Sequence, residues 1–228
     1  MREQIHTIPV LDALREPGAC VFCTIWAKLE NNALDFVMGE AYMDERTRNE
    51  TNKAGFCSAH MGKMYKRQNR LGAALQWHTH LLLVRKMVDS AKNAGSSRKL
   101  SAQIDAMQKR CYLCEKINGT FKKYLDTFCW LWSKEPEAAK LVRGLPGFCL
   151  PHFGEMLKAA EGALGKRDLE AFLAEVLPIQ QRALAKMDAD LDWFTQKFDF
   201  RNADAPWKDS KDALPRTMFM LKGGDHEG

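Results

Sequence analysis

The sequence predicts an all-α protein made of two tandem helical units and an irregular C-terminal segment. Apolar residues recur every three or four positions along most of the chain, alternating strand patterns are scarce, and short cysteine and histidine motifs recur in both halves. The predicted units are residues 1–97 and 98–198. Residues 199–228 are expected to pack as an extended segment against the helices, with a disordered end.

Helical stripes follow the motifs in each half of the chain. The stripe after the first Cys-x-x-Cys motif contains Ile25, Leu29, Ala33, Phe36 and Val37. The stripe after the second contains Ile117, Phe121, Tyr124, Leu125 and Phe128. Longer helices are predicted over residues 71–92 and 167–198, with a linker at 92–99 where glycine and serine interrupt the pattern.

The motifs repeat with nearly constant spacing. Cys20 and Cys23 match Cys111 and Cys114 at an offset of 91 residues, and the Cys-x-x-His pairs match at an offset of 92. The sequence "GFCSAH" at 55–60 thus returns as "GFCLPH" at 147–152. This pattern is typical of a duplicated unit with small insertions. Glycine before each "FC" predicts that each Cys-x-x-His motif opens a new helix.

Each predicted unit contains three cysteines and one histidine, which together form a common tetrahedral ligand set for zinc. The predicted metal ligands are Cys20, Cys23, Cys57 and His60 in the first unit, and Cys111, Cys114, Cys149 and His152 in the second. We therefore expect two zinc ions, each closing a site within its own unit. Loop entropy favours this local pairing only weakly, so exchanged pairing or one shared site remains open.

Other uses of the same residues are also consistent with the sequence. An iron–sulfur cluster takes four ligands that are mostly thiolates, and a Cys-x-x-Cys motif at a helix start is typical of thiol redox proteins. A third interpretation treats the cysteines as small apolar core residues. It is the one we adopt for Cys129, whose counterpart in the first half is Met38.

Composition and the motifs that are present bear on the location of the protein and on its class of function. The chain carries a formal charge of +5 and has no signal-peptide pattern and no apolar run long enough to span a bilayer, so we expect a cytoplasmic protein. Nucleic-acid binding is a minor alternative, based on the basic stretch "KMYKRQNR" at 63–70, which the second half lacks. The chain has no familiar catalytic motif, which argues against an enzyme.

Several segments resemble an uncharacterised bacterial family, domain of unknown function 6062. They include "HTIPVLDAL", "ETNKAGFCSAH", the paired Cys-x-x-Cys motifs and "DWFTQKFDFRNADAPWKDSKDALPR". The resemblance implies no established activity. Many relatives carry the label of an ABC transporter substrate-binding protein, which this sequence does not support. The family occurs largely in anaerobes, and this favours the iron–sulfur alternative a little.

Together these observations predict a metal-binding helical protein with structural zinc and a binding or regulatory role. Its partner is expected to be a protein that the sequence does not identify.

Overall fold

The structure, a computed structural model, describes residues 4–16 and 18–224. Within these residues the chain forms helices and no β-strand, which confirms the all-α prediction. The α-helices are α1 (Gln4–Arg15), α2 (Val21–Met38), α3 (Glu45–Ala54), α4 (Ser58–Lys66), α5 (Arg70–Asp89), α6 (Ala94–Gln108), α7 (Tyr112–Lys134), α8 (Pro136–Arg143), α9 (Leu150–Ala163), α10 (Lys166–Gln196) and α11 (Ala213–Lys222).

The described residues divide into two compact units. The terminal unit contains the chain up to Ala27 and from Phe121 onward, and the central unit is Lys28–Thr120. The unit boundaries therefore fall within α2 and α7. The boundary predicted between residues 97 and 98 falls within α6.

The core of the terminal unit is built around aromatic rings. Phe22 is fully buried, and its ring centroid lies 4.8 Å from that of Phe128 and 5.8 Å from that of Phe148. Phe172, also fully buried, packs against Phe128 and extends this cluster to α10. Fully burying an aromatic or aliphatic side chain contributes about 1.5–3 kcal/mol, so this cluster stabilises the unit substantially.

The central unit is held together by α3 packing against α5, although α3 is rich in charged residues. Asp44 caps α3 by accepting a hydrogen bond from the backbone N–H of Thr47 at 2.7 Å. Only the small side chains of Thr47, Thr51 and Ala54 are buried, so the charged positions of α3 form a largely solvated face. The buried Gln76 of α5 donates to the carbonyl oxygen of Val37 at 2.8 Å.

Helix α6 begins inside the stretch predicted to be a linker, so the linker prediction is wrong there. The side chain of Asn93 accepts from the N–H of Ser96, and the Ser96 hydroxyl oxygen accepts from the N–H of Asn93. This reciprocal cap satisfies N–H groups that a helix start otherwise leaves unpaired. It outweighs the poor helix propensity of Gly95.

The C-terminal segment is more regular than expected. It contains two short 3-10 turns, Phe200–Asn202 and Lys208–Ser210, and then α11, which packs against α9 and α10. The expectation of an extended segment is thus wrong for α11. The last four residues, at the end predicted to be disordered, lie outside the described residues.

Lys197 organises the loop that follows α10. Its side chain is buried, and its Nζ atom donates to the carbonyl oxygens of Asn202, Ala203 and Ala205 at 2.6, 2.8 and 2.6 Å. It also lies 5.3 Å from the ring centroid of Trp207. A buried cation requires such compensation, so this lysine fixes the path of the loop.

Candidate metal centres

All four predicted motifs lie at helix starts. Cys57 and Cys149 are the N-cap residues of α4 and α9, and Cys20 and Cys111 immediately precede α2 and α7. In each motif the carbonyl of the first cysteine accepts a hydrogen bond from the N–H four residues later. The first and fourth residues of each motif therefore lie on one face of a first helical turn. The unpaired N–H groups there favour the thiolate form of cysteine.

The glycine before each "FC" has the conformational role that the sequence predicts. Gly55 has a φ of 65° and Gly147 a φ of 144°, both in a region that glycine adopts most readily. A Cβ atom on Gly147 would lie 2.5 Å from the Cβ atom of Ala183. The next residue, Phe148, is fully buried, and its backbone exchanges hydrogen bonds with the side chain of Gln180.

Four of the predicted ligands meet in the terminal unit. This cluster, which we call the Cys20 site, consists of Cys20, Cys23, Cys149 and His152, and all four residues are buried. The Sγ atom of Cys23 lies 3.6 Å from Sγ of Cys149 and 3.4 Å from Nδ1 of His152. The Sγ atoms of Cys149 and Cys20 lie 3.3 and 3.9 Å from the same nitrogen.

Aromatic rings surround the imidazole of the Cys20 site. The ring centroid of Phe121 lies 5.0 Å from that of His152, and the centroids of Phe22 and Trp26 each lie 6.2 Å from it. These contacts place His152 within the apolar core of the terminal unit.

The other four predicted ligands meet in the central unit. This cluster, the Cys57 site, consists of Cys57, His60, Cys111 and Cys114. Nδ1 of His60 lies 3.2 Å from Sγ of Cys57 and 3.3 Å from Sγ of both Cys111 and Cys114. The Sγ atoms of Cys57 and Cys114 are 3.9 Å apart. Cys57 and Cys114 are partly exposed, whereas Cys111 and His60 are buried.

A carboxylate supports the histidine of the Cys57 site. Nε2 of His60 lies 3.2 Å from Oε1 of Glu30, although its N–H is not aligned for a hydrogen bond. Lys63 donates to the same carboxylate oxygen at 2.6 Å. A carboxylate commonly lies beside the second nitrogen of a histidine ligand. No sequence motif marks Glu30, because its position beside His60 depends on how α2 and α4 pack.

The prediction that each site closes within its own half of the sequence is wrong. Each Cys-x-x-Cys motif joins the Cys-x-x-His motif of the other half, so the alternative of exchanged pairing is what the structure has. The pair Cys23 and Cys149 is separated by 126 residues along the chain, whereas Cys23 and Cys57 are separated by 34.

Packing beside the ligands gives the physical reason. In the terminal unit, Phe22 of the first Cys-x-x-Cys motif stacks on Phe148. In the central unit, the N–H of Tyr112 donates to the carbonyl oxygen of Gly55 at 2.9 Å. The longer loops cost only about 1–2 kcal/mol of additional closure entropy in total, since each doubling of loop length costs about 0.6 kcal/mol. Burial of Phe22 and Phe148 offsets a cost of this size.

Both clusters have dimensions suited to a single metal ion. Bonds of about 2.3 Å to sulfur and about 2.0–2.1 Å to nitrogen in a tetrahedron place neighbouring donors about 3.5–3.8 Å apart. The donor separations quoted above run from 3.2 to 3.9 Å. The two clusters could therefore hold metal ions, and the identity of the metal is a separate question.

The electrostatics of the Cys20 site favour a cation among the donors. Hydrogen bonds with Cys149 and Cys23 hold the pKa of Cys20 well below its ordinary value, while Cys149, Cys20 and burial raise the pKa of Cys23. Burial lowers the pKa of His152, but hydrogen bonds with Cys149 and Cys20 outweigh the effect of burial. The pKa of His152 is therefore raised to about 9. The sulfurs thus do not all ionise together unless a positive charge lies between them.

At the Cys57 site burial is the leading cause of the pKa shifts. It raises the pKa values of the thiols of Cys111 and Cys114 and lowers the pKa of His60. The imidazole is therefore held in the neutral form, which is the form that binds metals. The thiols stay protonated in such surroundings unless a cation replaces their protons.

The remaining cysteine and two further histidines lie outside these clusters. Cys129 is fully buried, and burial raises the pKa of its thiol to about 12, which confirms the prediction that it is a core residue. Nδ1 of His80 lies 2.8 Å from the carbonyl oxygen of Asn52, and the ring lies beside Gly55. His78 is exposed.

The fold and the two clusters define an all-α protein with two sets of three cysteines and one histidine. The chain belongs to a family of unknown function, DUF6062, whose pattern matches residues 1–228. This match confirms the family that the sequence resembles. No curated protein and no solved structure matches the chain. Within the described residues no helix is both long and apolar enough to cross a membrane.

Proposed function

We propose that the protein binds one zinc ion at each cluster, that both ions are structural, and that the folded protein acts by binding or regulating a partner. The observation that carries this proposal is the grouping of the eight predicted ligands into two clusters, in each of which the donor atoms lie within 4.8 Å of one another. Four protein donors per site leave no position for a reacting water, which is typical of structural and not of catalytic zinc.

A structural role follows from where the ligands lie along the chain. Each ion would join two helix starts that are far apart in sequence, and it would bind the folded state much better than the unfolded state. We also propose that the two halves arose by duplication, since the four motifs share the same helix-start geometry. The binding free energy of both ions would then contribute directly to folding.

Metal analysis of protein purified without oxygen tests this function. We expect two zinc ions per chain, no visible absorption, and a lower thermal unfolding temperature for Cys57→Ala. Brown protein with iron and acid-labile sulfide would overturn the zinc assignment in favour of the iron–sulfur alternative. Absence of any metal, together with normal folding of Cys57→Ala, would overturn the metal-binding function itself.

The donor separations favour zinc over an iron–sulfur cluster. A cluster distributes its thiolate ligands over two or more iron atoms, so the ligands spread around inorganic sulfide. Sulfur atoms 3.6 and 3.9 Å apart, as in the Cys20 and Cys57 sites, are those expected around one ion.

A protein partner is supported by an exposed apolar run on α5. Leu81, Leu82 and Leu83 are 62%, 41% and 39% exposed, and such a run is unusual on a surface that binds nothing. We expect the triple substitution of these leucines by glutamine to abolish capture of specific partner proteins, while Phe198→Gln, at another exposed apolar residue, retains it.

The structure gives less support to nucleic-acid binding. Within the basic stretch 63–70, Lys63 pairs with Glu30, and Arg67 donates to Asp35 and Asn31, both at 2.7 Å. Two of its cations are thus partly neutralised by residues of α2. Nucleic-acid binders usually present such charges unpaired on one face.

A further inference from the structure

The two clusters differ in how deeply their cysteine residues are buried. All four residues of the Cys20 site are buried, and its histidine lies among aromatic rings. In the Cys57 site, Cys57 and Cys114 are partly exposed. Because oxidation of cysteine depends on access as well as on thiolate character, the two sites differ in their exposure to small oxidants.

The two partly exposed cysteines are also neighbours. Their Sγ atoms lie 3.9 Å apart, whereas a disulfide requires about 2.05 Å. Cys57 is the N-cap of α4, and Cys114 lies in the first turn of α7. Helix ends fray more readily than helix interiors, so a small local movement would bring the sulfurs together.

We propose that Cys57 and Cys114 form an oxidation site that releases the metal of the Cys57 site, while the Cys20 site keeps its metal. This inference rests on the proposed metal-binding function and adds a regulatory property to one of the two sites. The chain then has one permanent clamp and one clamp that responds to peroxide.

The chemistry requires a two-electron oxidant, for which a peroxide suffices. One of the two thiolates attacks a peroxide oxygen, the O–O bond breaks, and hydroxide leaves, giving a sulfenic acid. The other thiolate attacks that sulfur, the S–S bond forms, and a second hydroxide leaves. The two sulfurs lose two electrons in total, the peroxide gains them, and two protons from solvent convert both hydroxides to water. A disulfide is a poor metal ligand, so the site loses two of its four donors.

The test uses the full chain loaded with zinc, after two zinc ions per chain have been measured. Hydrogen peroxide is added, released zinc is followed with a chromogenic chelator, and disulfides are mapped by mass spectrometry of an unreduced digest. We expect one zinc ion to leave at least about tenfold faster than the other, together with a disulfide between Cys57 and Cys114. Addition of dithiothreitol and zinc should then reduce the disulfide and return the zinc content to two ions per chain.

Several outcomes would overturn the inference. They are release of both ions at equal rates, earlier release from the Cys20 site, or a first disulfide that does not join Cys57 and Cys114. Failure to find two zinc ions at the start would instead contradict the proposed function, so the two failures are distinguishable. As a second measurement, Cys129→Ala should retain the fast phase of zinc release and the disulfide, because Cys129 belongs to neither cluster.

Discussion

The Sγ atom of Cys23 lies 3.6 Å from the Sγ atom of Cys149, although 126 residues separate them in the sequence. This contact joins the first Cys-x-x-Cys motif to the second Cys-x-x-His motif. The Cys57 site joins the remaining two motifs in the same exchanged manner.

Paired substitutions should reveal which ligands share a site. The double variant Cys20→Ser with Cys149→Ser removes two ligands from one cluster, so it should retain one zinc ion per chain. Cys20→Ser with Cys57→Ser damages both clusters and should retain none. Metal analysis after gel filtration gives the count, and Cys129→Ala should keep two ions. No zinc in the first double variant and one zinc ion in the second would instead establish pairing within each half of the sequence.

Glu30→Gln should weaken metal binding at the Cys57 site alone. The carboxylate lies 3.2 Å from Nε2 of His60, and loss of such a supporting group typically costs about 10–100-fold in metal affinity. Competition with a chelator of known affinity would measure the change. Asp35→Asn is a matched control on the same helix, because Asp35 pairs with Arg67. An equal loss at the Cys20 site would argue against this role of Glu30.

Gly147→Ala should destabilise the protein by about 2–4 kcal/mol, since the new Cβ atom overpacks the core and the backbone conformation disfavours it. That atom would lie 2.5 Å from the Cβ atom of Ala183, and the φ of Gly147 is 144°. Gly154→Ala in α9 is the control, because its new Cβ would meet no atom within 4 Å other than its chain neighbours and the backbone of its own helix. The control should be neutral or more stable by up to about 1 kcal/mol. Urea unfolding of zinc-loaded protein measures both, and similar midpoints would contradict the prediction.

Lys197→Met should lower the free energy of unfolding by about 2–4 kcal/mol, because several hydrogen bonds from a charged donor are lost and carbonyls are left without partners. In the unsubstituted protein, the Nζ atom of Lys197 donates to three carbonyl oxygens of the loop after α10. Limited proteolysis should also become faster within this loop. Lys211→Met, at an exposed position, should change neither measurement. Unchanged proteolysis in Lys197→Met would show that other contacts hold the loop.

The sequence predicted the helical class and the longer helices well. Residues 71–92 and 167–198 were expected to be helical, and α5 and α10 cover Arg70–Asp89 and Lys166–Gln196. These helices carry long runs of residues with good helix propensity, so local preference and fold agree. At α6 the sequence was misleading, because a local cap at Asn93 overrides the glycine and serine that suggested a linker.

The sequence also identified the residues that form the clusters but not how they pair. Ligand type and spacing are local properties, and they are visible in the motifs themselves. Pairing depends on which helix starts pack together, as shown by the stacking of Phe22 on Phe148. Chain entropy distinguishes the alternatives by only about 1–2 kcal/mol, which is too little to decide from spacing.

The exchanged pairing has a consequence for synthesis of the chain on the ribosome. Cys20, Cys23, Cys57 and His60 are the first four of the eight predicted ligands to emerge, yet they belong to two different sites. Cys149 is translated 126 residues after Cys23, which corresponds to about 6–25 seconds at about 5–20 residues per second. Among the predicted ligands, the first complete set of three cysteines and one histidine to leave the ribosome is therefore a non-native one.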